Sequence, residues 1–241
     1  MRTKLKELTK FSPNEPLFAG FLQEKGFSPQ LLYEYVKNSW LEKVSDGVYK
    51  LSNGNLDTLQ IVKSLQVQLN MSVHIASRSA LLIQGISHFG RNTNKLQVAV
   101  TGKQRLTKWL KSLNEIDFIR MNIINKPENN FNTSNGIIIA NREMAFIEMA
   151  ELVPQKISYE EFYKTLELAP NLRAAELQQI LENCASSKAK KIFLATAESL
   201  NYHWYNQIDL NKINIGTGIL QLSKNGVYNG RFRIYLEKIN E

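Results

Sequence analysis

Four side chains at helical spacing raise the functional question. Gln30, Tyr33, Lys37 and Asn38 lie in the stretch FSPQLLYEYVKNSW, residues 27–40. Amides, a phenol and an ammonium are groups that hydrogen-bond base edges and phosphate oxygens. On a helix turning about 100° per residue, Leu31, Leu32, Tyr35, Val36, Ser39 and Trp40 share one half of the circumference. Gln30, Glu34 and Lys37 share the other, with Tyr33 and Asn38 at the margins. Glu34 would repel phosphate but can accept from cytosine N4. Lys43 and Lys50, a few residues on, supply further positive charge, and Arg2, Lys4 and Lys6 could reach a phosphate backbone from the first helix.

These residues need elements to hold them. Gly26 suits the left-handed position that ends a helix. Ser28 can cap the next one, and Pro29 fits its first position, where no N–H is required. After Trp40 the period changes. Leu41–Val44 and Val48–Leu51 are strand-like runs around Ser45-Asp46-Gly47, and Asp-Gly is a strong hairpin signal. Helix, helix, helix and hairpin over residues 1–54 predict a winged helix-turn-helix, whose third helix would enter the major groove of double-stranded DNA. Winged helices also serve as protein–protein modules, so pattern alone leaves both uses open.

Ser52-Asn53-Gly54-Asn55 reads as a short joint, and 55–241 as a second, larger domain. The pattern there predicts helices over 56–69, 77–84, 143–151, 159–168, 171–183 and 190–199. Leu59, Val62, Leu65 and Leu69 would share the buried face of the first of these. Strands are expected at 73–75, 96–100, 116–124 and 136–140. The polar tract Pro127–Asn135 reads as an exposed loop. A final strand pair, 218–222 and 227–236, would turn at Lys224-Asn225-Gly226. The expected fold class is α+β, a winged helix followed by a mixed α/β domain.

Composition narrows the function classes. The chain has 241 residues, is 43% hydrophobic and 22% charged, and carries a net charge of +8. Those are globular proportions, and the positive balance favours a polyanionic partner. Residues 91–126 hold eight Lys and Arg against two acids, so much of that charge lies outside the winged helix. Either the second domain also touches nucleic acid or these lysines form a solvated face. The same choice applies to the cluster Lys188, Lys190 and Lys191. No run of about 18 apolar residues marks a membrane span. The single cysteine, Cys184, and the lack of a signal-peptide core predict a cytoplasmic chain. No phosphate-cradling glycine motif, nucleophile elbow or metal-ligand spacing is present, so neither cofactor nor metal is expected. His74, His88 and His203 are isolated. Glu148 and Glu151 stand one turn apart, a spacing open to acid–base work but commoner on a solvated helix edge. Tyr202-His203-Trp204-Tyr205 could stack bases, although core packing is the preferred reading. The expectation is a binding protein rather than an enzyme.

Several segments resemble one family in order along the chain. They are WLEKVSDGVYKL (40–51), LQVQLNMSVHIASRSALLIQGISHF (65–89), CASSKAKKIFLATAESLNYHW (184–204) and LNKINIGTGILQLSKNGVYNGRFRIYL (210–236). Together they look like the AbiEi antitoxins of bacterial type IV toxin–antitoxin systems. Ser187, Lys188, Lys190, Lys191, Phe193, Trp204, Gly216, Gly218 and Gly226 match the family's pattern. Ile219-Leu220 departs from the basic residues that relatives tend to carry after the Gly-x-Gly turn. The resemblance implies a winged helix that binds inverted repeats upstream of the operon and represses it. It also implies a C-terminal domain that counteracts a nucleotidyltransferase-like toxin, AbiEii, without a stable complex. The expected oligomeric state is a monomer or weak dimer in solution, with two copies on palindromic DNA. Two alternatives stay open. One is a winged-helix regulator with no toxin partner. The other is a nucleic-acid-binding protein whose C-terminal domain shields or repairs the toxin's RNA target.

Overall fold

A computed structural model describes residues 2–86, 95–123 and 130–239. The N-terminal part runs α1 (Arg2–Leu8), β1 (Leu17–Phe18), α2 (Ala19–Glu24), α3 (Pro29–Lys37), β2 (Leu41–Ser45) and β3 (Val48–Leu51). Gly26 ends α2 at φ 82°, and Gly47 turns the hairpin at φ 71°. Strand β1, too short to show a period, pairs with β3 and makes the sheet three-stranded, in the order β1-β3-β2. The three helices close on this sheet over Leu8, Leu17, Leu22, Phe27, Leu32, Tyr35, Leu41 and Leu51.

The larger part centres on a five-stranded sheet and one helix that it buries. Its elements are α4 (Thr58–Gln68), β4 (Val73–Ile75), α5 (Ser77–Ile83), β5 (Leu96–Val100), α6 (Lys108–Lys111), β6 (Ile116–Arg120), β7 (Phe131–Ser134), β8 (Ile137–Ala140) and α7 (Arg142–Leu152). The sheet order is β6-β5-β4-β8-β7, with β4 parallel to β8 and β5 parallel to β6. Helices α8 (Tyr159–Glu167), α9 (Ala174–Asn183) and α10 (Ser187–Leu200) pack around α7, followed by the short strands β9 (Leu220–Gln221), β10 (Val227–Asn229) and β11 (Ile234–Leu236). Helix α7 is covered on nearly every side, from Met144 and Phe146 to Met149 and Leu152. A helix apolar all round belongs inside a core.

Three expectations change. Residues 131–134 of the tract read as a loop form β7, which joins β8 through Asn135 and Gly136, both at positive φ. That is the backbone of a two-residue type I′ hairpin, which Asn-Gly favours. The terminal strands do not form one hairpin about Lys224-Asn225-Gly226. β9 runs parallel to β11, and 227–236 folds back on itself with β10 antiparallel to β11. In α4 the buried face holds Ile61, Val62, Ser64, Leu65 and Gln68, while Leu59 and Leu69 are exposed. This rotation places Gln68 beneath β1. Its Oε1 accepts from the Phe18 N–H at 3.0 Å, and its Nε2 donates to the Pro16 carbonyl at 2.9 Å.

Gln68 is one part of a broad junction. Phe18 and Val48 belong to the same hydrophobic core as the five-stranded sheet, and Phe18 meets Trp109 edge-on at 5.9 Å. The joint at 52–55 is equally tied. A Cβ on Gly54 would lie 1.5 Å from the Pro13 carbonyl oxygen, so only glycine fits there.

Candidate nucleic-acid interface

Helix α3 is held at both ends. The Ser28 Oγ accepts from the Leu31 N–H at 3.2 Å, with Pro29 in the first turn. At the other end Ser39 takes φ 57°. Its N–H reaches the Val36 carbonyl at 3.1 Å, and the Trp40 N–H reaches the Tyr35 carbonyl at 2.9 Å. This is a Schellman closure made with serine in place of glycine. Because it ends the helix, Trp40 leaves the buried half on which helical periodicity places it and stands 47% exposed. The signal was local: an Asn-Ser pair just before the tryptophan can take the left-handed turn that breaks the period.

The outward face carries Gln30, Tyr33, Lys37 and Asn38, all exposed, with Tyr33 at 67%. Glu34 is half-buried. Among the described residues the side chains of Gln30, Tyr33 and Lys37 make no intramolecular hydrogen bond or ion pair. Asn38 Nδ2 folds back onto the Glu34 carbonyl at 2.9 Å. The wing lysines are more committed. Lys43 donates to Asp46 at 2.7 Å, a bond that raises the ammonium's pKa and lowers the carboxyl's. Lys50 is 16% exposed, 3.0 Å from Glu42 and bonded to the Gly54 carbonyl at 2.8 Å. Lys4, in α1, is spent between Glu7 and the Lys25 carbonyl.

The basic stretch of the larger part comes close to the wing. Ser45, Asp46 and Gly47 line one groove together with Thr107, Lys108 and Trp109. Lys103, Arg105, Lys108 and Lys111 are exposed and have no ion-pair partner among the described residues. Arg120 instead donates to the carbonyls of Gly102 and Gln104. Arg91 and Lys126 lie outside the described residues.

The cluster at the start of α10 is not a solvated face. Ser187 Oγ donates to the Ile215 carbonyl, and Lys191 Nζ to the Gly218 carbonyl. Lys191 is buried, and its pKa is lowered by that burial and then by Arg233. Arg233 itself donates to the Thr217 carbonyl at 2.8 Å. Lys190 is 5% exposed, and Lys188 reaches Gln155 and Glu151. Ser187 and Lys191 thus fasten the glycine turn 215–218 to α10. Trp204 is core, stacked on Phe193 at 5.9 Å and donating to the Ala169 carbonyl, and Tyr202 bonds the Glu167 carbonyl.

The carboxylates of α7 are likewise internal. Glu143 is held by Arg173 through three bonds of 2.8–3.1 Å. Burial pushes its pKa up, but the bonds from Arg173 outweigh that and hold it below the usual range. Glu148 is wholly buried against His74 and the Ser77 N–H, so it is not on a solvated edge. His88 lies outside the described residues. Among the described residues no three His, Cys, Asp or Glu side chains are placed to hold a metal ion, and no helix is long and apolar enough to cross a membrane.

Three helices, a three-stranded sheet and a wing, with an outward polar face on the third helix, define a winged helix-turn-helix built onto an α/β body. Residues 1–91 match the family model described as the AbiEi antitoxin N-terminal domain of a transcriptional regulator. Residues 93–237 match the model described as a transcriptional regulator, AbiEi antitoxin, type IV toxin–antitoxin system. The chain belongs to this family of antitoxins that are also transcriptional regulators, which is not a known class of enzyme. Its fold is similar to the crystal structure of the RV2827C protein from Mycobacterium tuberculosis. The TM-score is 0.65 at 13% identity, over 96% of this chain and 89% of that one. No curated protein matches the chain significantly.

Proposed function

We propose that α3 enters the major groove of operator DNA, with two copies on an inverted repeat upstream of this chain's own operon, repressing it. Residues 55–241 in turn counteract a nucleotidyltransferase-like toxin without forming a stable complex with it. The observation that carries the DNA reading is the outward face of α3. Gln30, Tyr33 and Lys37 point to solvent unpaired, on a helix capped at both ends. Hydrogen-bonding groups held on a rigid element are what base readout requires. Trp40 joins this face as an exposed aromatic at its edge. Lys108, beside the wing, and the exposed Lys103, Arg105 and Lys111 near it in sequence supply contacts to phosphate.

Two measurements test the reading. Lys37→Ala in the full chain weakens binding to the upstream inverted repeat by about tenfold. Unchanged affinity at physiological salt would remove α3 from the interface. Replacing Lys103, Arg105, Lys108 and Lys111 together with alanine lowers the steepness of log K against log salt by about 3.6, at specific and random sequences alike. Neutralisation is tested by growth. The neighbouring open reading frame, induced alone, arrests growth, and this chain carrying Lys37→Ala still rescues it while no longer repressing the promoter. Substitution is used instead of truncation because the two parts share a core.

A further inference from the structure

A cavity of about 360 Å³ at one end of the five-stranded sheet has no part in the regulator reading. This lies within the range of about 300–1,000 Å³ typical of ligand pockets. Its walls are Met71, Met121, Met144, Ile123, Ile138 and Phe131. Ser72 and Asn122 are exposed at its rim, and His74 and Glu148 lie buried at its base.

The base is built with care. Glu148 Oε1 lies 2.6 Å from His74 Nε2, and its Oε2 accepts from the Ser77 N–H at 2.9 Å. To bring that N–H inward, Ser77 adopts φ 51°, a conformation that costs a non-glycine residue about 1–2 kcal/mol. Backbone strain of this kind persists where the surroundings enforce it. With both carboxylate oxygens accepting, Nε2 carries the proton that faces Glu148, and in the neutral ring Nδ1 is an acceptor. His74 is 4% exposed, and Nδ1 has no partner among the described residues. In that state Nδ1 can accept from a donor placed in the cavity.

The walls indicate what surrounds that donor. Phe131 lies 4.6 Å from the His74 ring, and three thioethers complete the enclosure. Methionine sulfur makes favourable contacts with aromatic rings and adapts to their shape. Among the described residues no lysine or arginine lines the cavity. We propose that this cavity binds a small, planar nitrogen heterocycle carrying a ring N–H. That N–H would donate to His74 Nδ1, with the ring held between Phe131 and the methionines. The inference is independent of operator binding.

The test is a titration of the methyl-labelled full chain, followed by NMR at the methionine methyls. The probes are adenine and uracil, with toluene as an apolar control. Adenine or uracil is expected to shift Met71, Met121 and Met144 but not Met149, which is buried and does not line the cavity. H74Q keeps a donor for Glu148 but loses the ring acceptor, and weakens the heterocycle by about tenfold without changing the response to toluene. F131L leaves the hydrogen bonds in place and weakens it as well, so a poorly folded H74Q protein does not end the test. Equal shifts with toluene that are indifferent to H74Q would make this a plain apolar hole. The absence of shifts with every probe would overturn the proposal outright.

Discussion

Glu143 and Glu148 share a helix that has almost no contact with water, and each is satisfied differently. A buried carboxylate is tolerable only when paired or hydrogen-bonded. Glu143 has the Arg173 guanidinium and backbone N–H, whereas Glu148 has an imidazole and a backbone N–H. Because Glu143's folded pKa lies below its unfolded value, the pair stabilises the fold fully above the ordinary carboxylate range. That contribution is lost as pH falls through the lowered folded pKa. Arg173→Met is therefore expected to cost about 1–2 kcal/mol near neutral pH, modest because the guanidinium is 57% exposed and screened. The difference from the parent should shrink as the medium is acidified below that folded pKa. Urea unfolding of both proteins across pH checks this, and a difference independent of pH would deny the pair its role. None of this was visible from spacing. Glu148 has the same one-turn relation to Glu151 whether the helix lies on the surface or at the centre, and only the long-range packing of α5, α9 and α10 decides.

At the scale of elements, local chemistry made much of the winged part legible. Ser28, Pro29, Gly26 and Asp46-Gly47 act within a few residues of themselves, and they cap, start, end and turn as their types require. What failed to show was decided by partners distant in sequence. β1 is two residues long and exists because β3 offers an edge. β7 is mostly polar because its outer face is wet, although its Asn135-Gly136 turn was a usable signal that composition masked. Helix α10 begins three residues earlier than the expected 190, because Ser186 caps it and brings Ser187, Lys188 and Ala189 into the first turn. The outward residues of α3 could be listed from a helical wheel, but Trp40 could not, because the wheel does not know where the helix stops. That stop is also a place where the fold can be improved. Ser39→Gly relieves the left-handed strain at the Schellman position and should stabilise the protein by about 0.5–1 kcal/mol. A rise in melting temperature with α3 unchanged by amide exchange is the expected result, and a fall would place the strain elsewhere.

Across the whole molecule the two halves are joined by buried groups rather than by a tether. Gln68 uses both amide hydrogens and its carbonyl between Pro16, Phe18 and Ser64, and removing it would leave the Phe18 N–H and the Pro16 carbonyl unpaired in a dry setting. Gln68→Ala should cost about 2–3 kcal/mol and, unlike most surface changes, should lower protection at amides on both sides of the junction together. Protection lost on one side alone would show that the halves open separately. The shared core around Phe18 and Trp109 has a further consequence for a chain that is both regulator and antitoxin. If the shared core opens as one unit, as that experiment is expected to show, a protease that captures either half would begin clearance for both roles at once. The cell would then have no interval in which the gene is silent while its product is already spent. On the function proposed above, loss of the protein would raise new synthesis and release the toxin in a single event, with the time to recover set by how quickly fresh chains fold.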